Sequence, residues 1–207
     1  MRLNALDEVD RYISDLRASL VVLKPLVESQ RAPELLADLS RARAVWMYRH
    51  YRDVATSSVR TFGGDNAIQD LELLLTNEPP NWRGEVVPDE TRNTVEELFA
   101  REMNPLDAAA LFWWARNMLF LQLGLSERED VRLLSYETLV KRTVNAMRGI
   151  YDFLGFPFVE ERFGRSVHER ALDRGREVSL SPRVERLCLG LYERLDASLA
   201  GESQSTL

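Results

Sequence analysis

"AVWMYRHYRDVATSS", residues Ala44 to Ser58, decides the fold. Ala44 to Tyr48 form a short apolar run that reads as a buried strand. Arg49 and Arg52 follow with Asp53, and a small hydroxylated stretch then reads as a helix from about Asp53 to Phe62, stopped by Gly63 and Gly64. A strand that turns directly into a helix is the unit of an open α/β sheet, and such sheets bind ligands outside the carboxyl ends of their strands. Arg49 sits at such a turn. Its guanidinium suits a forked contact to phosphate, and the first helical turn favours an anion through its N–H groups and dipole. Asp53 is placed to cap the helix with its side chain. Ser57, four residues further, projects from the same side with a hydroxyl to donate. The competing reading is a surface salt-bridge cluster of Arg49, Arg52 and Asp53.

Upstream, Asp7 to Ala18 has helical spacing, "SLVVLK" (Ser19 to Lys24) reads as a second buried strand, and Ala32 to Leu39 reads as a helix with Pro33 in its first turn. This strand, helix, strand order predicts a parallel βαβ crossover. Downstream, Thr76 to Asp89 is rich in Pro, Asn and Gly and predicts a surface loop bordering a site. Asn104 and Pro105 open, and Gly124 closes, a helix apolar on most sides. In it Trp113 and Trp114 are expected in the core. "VRLLSYETL" (Val131 to Leu139) reads as a strand entering a helix, and a last helix from about Pro182 to Leu199 places Val184, Leu187, Leu191 and Leu195 on one face. With no linker and no internal repeat, residues 1–207 are expected to form a single domain with a helical C-terminal half.

The formal net charge of −6 argues against a nucleic-acid or acidic-membrane binder. Positive charge is local instead: between positions 41 and 60 lie Arg41, Arg43, Arg49, Arg52 and Arg60 against the single acid Asp53. One cysteine, Cys188, and two histidines, His50 and His168, leave neither an internal disulfide nor a Cys/His metal set, so no metal is expected. The N-terminus has no apolar core of signal-peptide length, and Arg116 and Asn117 interrupt the longest apolar stretch, so a cytoplasmic protein away from the membrane is expected.

The opening stretch resembles the segment of sulfotransferases that binds the 3′-phosphate of 3′-phosphoadenosine 5′-phosphosulfate. In that family an arginine ends the strand, an aspartate follows four residues later and a serine eight residues after the arginine; Arg49, Asp53 and Ser57 keep that register. "VVLKPL" resembles an upstream strand whose lysine contacts the transferring sulfuryl group, here Lys24. "LLSYETL" with "IYDFLGFPF" resembles a later strand and helix, placing Tyr136 against the nucleotide. "LDRGRE" resembles the basic segment that closes over the 3′-phosphate, through Arg174 and Arg176. Many family members carry a histidine two residues after the lysine, where this chain has Leu26; other branches use a carboxylate, which makes Glu28 the candidate substitute base. The resemblance therefore implies a P-loop-like parallel sheet with flanking helices, 3′-phosphoadenosine 5′-phosphosulfate as sulfuryl donor, and a small hydroxylated acceptor in a pocket on variable loops, among which Thr76 to Asp89 is the candidate.

The family's glycine- and hydroxyl-containing phosphosulfate loop precedes the strand matched by "VVLKPL", and neither lysine here is preceded by a glycine. That loop and its strand are expected to lie before Met1 or to be lost, leaving the fold N-terminally incomplete, with an exposed strand edge and self-association as consequences. The alternative function is a truncated, non-catalytic nucleotide-binding or interaction protein. A kinase-like phosphoryl transferase is disfavoured because it needs the same kind of loop.

Overall fold

A computed structural model describes residues 6–25, 27–76, 81–160, 172, 175 and 177–204. Its sheet, among the described residues, has two parallel strands, β1 (Ala44–Tyr48) and β2 (Val131–Ser135), in register from Ala44↔Val131 to Tyr48↔Ser135. The parallel unit predicted from the sequence exists, but its partners differ. The β-branched run at Ser19 to Lys24 has no regular structure, and Leu20, Val22 and Leu23 are 39%, 79% and 39% exposed. A parallel strand is stable when a neighbour takes its N–H and C=O groups and both faces are covered. Here β1 finds its hydrogen-bonding neighbour in β2, and Pro25 removes a donor at the end of the run.

Helix α1 (Leu6–Asp15) and helix α2 (Ala32–Asp38) precede β1, with Pro33 in the first turn of α2 as expected. The crossover from β1 to β2 is helical. Helix α3 (Tyr51–Phe62) ends at Gly63, whose φ of +89° suits glycine, and α4 (Gly64–Leu75) starts at once. Helix α5 (Asp89–Leu98) follows the predicted loop, whose described part from Asn81 to Pro88 is a series of turns.

Helix α6 (Pro105–Gln122) is the centre of the molecule. The Asn104 side chain caps it by accepting from Leu106 N–H at 2.8 Å, and Pro105 occupies the first position, where a missing N–H costs nothing. Leu111, Leu119 and Phe120 are buried completely or nearly so, each contributing roughly 1.5–3 kcal/mol by leaving water. Trp113 and Trp114 are core residues, as expected. The polar residues that interrupt the apolar stretch are tethers: Asn117 accepts from the Trp46 indole of β1 at 3.3 Å, and Asp107 accepts from Ser181 N–H at 2.8 Å. No helix among the described residues is long and apolar enough to cross a membrane.

After β2 come α7 (Tyr136–Lys141), α8 (Thr143–Leu154) and the long α9 (Pro182–Gln204). The buried stripe of α9 is Val184, Cys188, Leu191 and Leu195; Leu187, expected there, is only partly buried. The Cys188 thiol donates to the carbonyl of Ala110 at 3.3 Å, and burial pushes its pKa well above the usual thiol range. Cys188 is therefore expected to be inert to a thiol-reactive dye at neutral pH in the native protein and to react fully in denaturant. Rapid native labelling would mean that α9 leaves α6 readily.

Candidate functional site

Because β1 and β2 are parallel and Tyr48 is paired with Ser135, their two strand-to-helix turns lie side by side. Glu137 joins them. One of its carboxylate oxygens accepts from His50 N–H at 2.9 Å, and the other accepts from the Ser135 hydroxyl at 3.0 Å. Arg49, the residue after β1, thereby lies over the ring of Tyr136, the residue after β2, with the guanidinium carbon 5.0 Å from the ring centroid. Arg49 Nη2 donates to Asp53 Oδ2 at 2.9 Å, one helical turn on. The other oxygen of Asp53 accepts from Gly175 N–H at 2.7 Å.

The helix cap differs from the sequence expectation. Helix α3 begins at Tyr51, so Asp53 lies within its first turn and His50 is the cap, its Nδ1 accepting from Arg52 N–H at 3.3 Å. That acceptor role requires neutral imidazole. Burial lowers the pKa of His50, which is stacked on Tyr51 with centroids 4.4 Å apart and lies 4.9 Å from Tyr192. Arg52, the second arginine of the turn, faces α9. It donates to Glu185 at 2.6 Å, and the Tyr51 hydroxyl donates to the same carboxylate. Burial alone would raise the pKa of Glu185, but the bonds from Arg52 and Tyr51 outweigh it and hold the group below its usual range. The two arginines thus separate: Arg52 fastens α3 to α9, and Arg49 stays at the turn.

Ser57 lies one turn beyond Asp53, half-buried, and its hydroxyl has no hydrogen-bond partner among the described residues. The Tyr136 hydroxyl likewise has none. Arg49 therefore touches both Asp53 and Tyr136, with Ser57 next along the helix. Lys24 and Glu28 belong to a different element, the segment between α1 and α2. Lys24 is exposed, with no ion pair among the described residues. Glu28 is fully buried, and one of its oxygens accepts from Arg31 at 2.9 Å. Leu26, His168, Arg174 and Arg176 lie outside the described residues; Gly175, between the two arginines, is the part of that segment seen against the site. Among the described residues no group of acidic, histidine or cysteine side chains could hold a metal.

The sequence reading missed three residues. Glu137 was legible as an acid beginning a helix, a common arrangement, but its tie to the other strand needed the register. Gly175 stands between the two arginines that carry the resemblance, and nothing local marks Glu185 on the last helix.

The fold is α/β of the P-loop-like kind, with paired strand-to-helix turns meeting around a stacked arginine. The chain belongs to the sulfotransferase family: the family's sulfotransferase domain matches residues 11–184. Among solved structures it is similar to the sulfotransferase domain from the curacin biosynthetic pathway, with a TM-score of 0.57 and 18% identity over 90% of this chain and 67% of that one. Comparison with curated proteins found no match.

Proposed function

We propose that this protein transfers a sulfuryl group from 3′-phosphoadenosine 5′-phosphosulfate to a hydroxyl of a small acceptor. The observation that carries the reading is Arg49, held over Tyr136 at the paired ends of β1 and β2 and beside the N-terminus of α3. Arg49 and Ser57 bind the 3′-phosphate, one through its fork and the other through its uncommitted hydroxyl. Tyr136 contacts the nucleotide, and Arg174 closes over the phosphate from the segment that Gly175 fastens to Asp53. In the transfer, the acceptor oxygen forms a bond to sulfur as the sulfur–oxygen bond to the 5′-phosphate breaks, and adenosine 3′,5′-bisphosphate leaves. Lys24 balances the charge on the sulfuryl oxygens. Glu28 takes the acceptor proton, which requires its carboxylate to exchange Arg31 for the substrate hydroxyl.

Calorimetric titration with adenosine 3′,5′-bisphosphate tests the nucleotide half. Micromolar binding, about −8 kcal/mol, is expected, and Ser57→Ala should weaken it by about 1 kcal/mol, the usual net value of a hydrogen bond. Absence of binding by folded protein would remove the nucleotide reading. Binding without release of bisphosphate from the donor would favour the non-catalytic alternative.

A further inference from the structure

The middle of α6 carries a charge that the nucleotide site does not use. Arg116 Nη2 donates to the Ser29 hydroxyl at 2.5 Å and to Gln30 Oε1 at 2.7 Å. Nη1 is buried with no hydrogen-bond partner among the described residues. The guanidinium carbon lies 5.2 Å from the centroid of the Trp82 ring, and Arg83 lies 4.6 Å from that same centroid. Gln30, 1% exposed, passes the connection on: its amide donates to Val27 O and to Glu85 Oε2, both at 3.0 Å. One guanidinium therefore joins three elements, namely α6, the turn at 29–31 and the 81–87 loop.

A buried guanidinium is a costly way to hold neutral partners. Desolvation exceeds what two such hydrogen bonds return, and an apolar residue of similar volume is commonly as stable at such a position. What the arginine supplies is geometry, because its rigid fork fixes the turn in one orientation. That turn directly follows Glu28, and Lys24 lies four residues before Glu28 on the same segment, whose described residues 17–25, 27 and 28 have no helix or strand.

We infer that Arg116 is a positioning residue: it holds the Lys24 and Glu28 segment in register with the 81–87 loop, the candidate acceptor-side loop. The inference rests on the proposed sulfuryl transfer for its consequence, though its structural part is independent. Arg116 touches neither donor nor acceptor and acts through Ser29 and Gln30.

The test compares wild type, Arg116→Met and Arg116→Lys by hydrogen exchange, by adenosine 3′,5′-bisphosphate binding, and by release of that bisphosphate from 3′-phosphoadenosine 5′-phosphosulfate with water as acceptor. In Arg116→Met, exchange at residues 27–31 is expected to rise about tenfold and bisphosphate release to fall tenfold or more. Bisphosphate affinity should stay within about twofold, because Arg49 is undisturbed. Arg116→Lys should recover part of the turnover. Should Arg116→Met fail to fold, the paired change Ser29→Ala with Gln30→Leu removes the same bonds from the other side. Unchanged exchange at 27–31, unchanged turnover, or an equal loss of nucleotide affinity would overturn the inference. Failure of wild type to bind bisphosphate would instead remove the functional reading, leaving the exchange result to decide whether Arg116 holds the segment.

Discussion

Arg49→Ala is expected to weaken binding of adenosine 3′,5′-bisphosphate by about a hundredfold, roughly 2.7 kcal/mol, in a calorimetric titration. Two contributions add. The fork to the phosphate is lost, and so is the cation that lies over Tyr136. Some stability goes as well, since Asp53 is only 4% exposed and loses the cation bonded to it. Arg49→Lys separates these effects. A lysine retains a positive charge near Asp53 but cannot make two parallel bonds to phosphate, so an intermediate loss of about tenfold is expected with a smaller fall in thermal midpoint. If both variants bind as wild type does, the phosphate lies elsewhere and the nucleotide reading of the turn is wrong.

The second large effect is expected at Gly175. A Cβ built there would lie 2.4 Å from the carbonyl carbon of Arg52 and 2.5 Å from its oxygen. These are backbone atoms at the start of α3, which cannot swing aside as a side chain tip would. Gly175→Ala must therefore lift the segment away, breaking the 2.7 Å bond to Asp53. Overpacking and the loss of one hydrogen bond to a buried carboxylate together cost about 2–4 kcal/mol, and a domain of this size loses roughly 2–4 °C of thermal midpoint per kcal/mol. A fall of about 5–10 °C in a calorimetric scan follows. An alanine variant that melts with the wild type would show that Gly175 does not rest on Arg52 in solution.

The strand at Ala44 to Tyr48, the helix after it, the apolar α6 and the strand at Val131 were legible because each is announced by local pattern: a short apolar run, a glycine stop, a proline start. The run at Ser19 to Lys24 has the same local look and is not a strand, since what makes a strand is a partner, and a partner is not a local property. Arg49 and Tyr136 were both legible, the one by its place after a strand and both by resemblance. That they stack on each other follows from the pairing of Tyr48 with Ser135, which no local pattern contains. Gly175 with Asp53 and Glu185 with Arg52 are contacts across most of the chain, and a sequence read in windows shows only their individual charges and sizes. The capping role of His50 depends on the helix starting at Tyr51 and not at Asp53, a boundary that local pattern left two residues too late.

The pairing of β1 with β2 also sets how the chain comes together in time. Ala44 finds Val131 only after the whole helical crossover has been drawn into a closed loop. Closing a loop of roughly 90 residues costs about 4 kcal/mol of chain entropy before the ladder returns anything. Helices α3 to α6 lie within that loop, and their contacts with one another span less of the chain than the strand pairing does, so they are expected to gather first and shorten the effective search. The two strand ends that hold Arg49 and Tyr136 in contact are then among the last parts of the molecule to meet, and refolding should restore helical circular dichroism before it restores affinity for the bisphosphate.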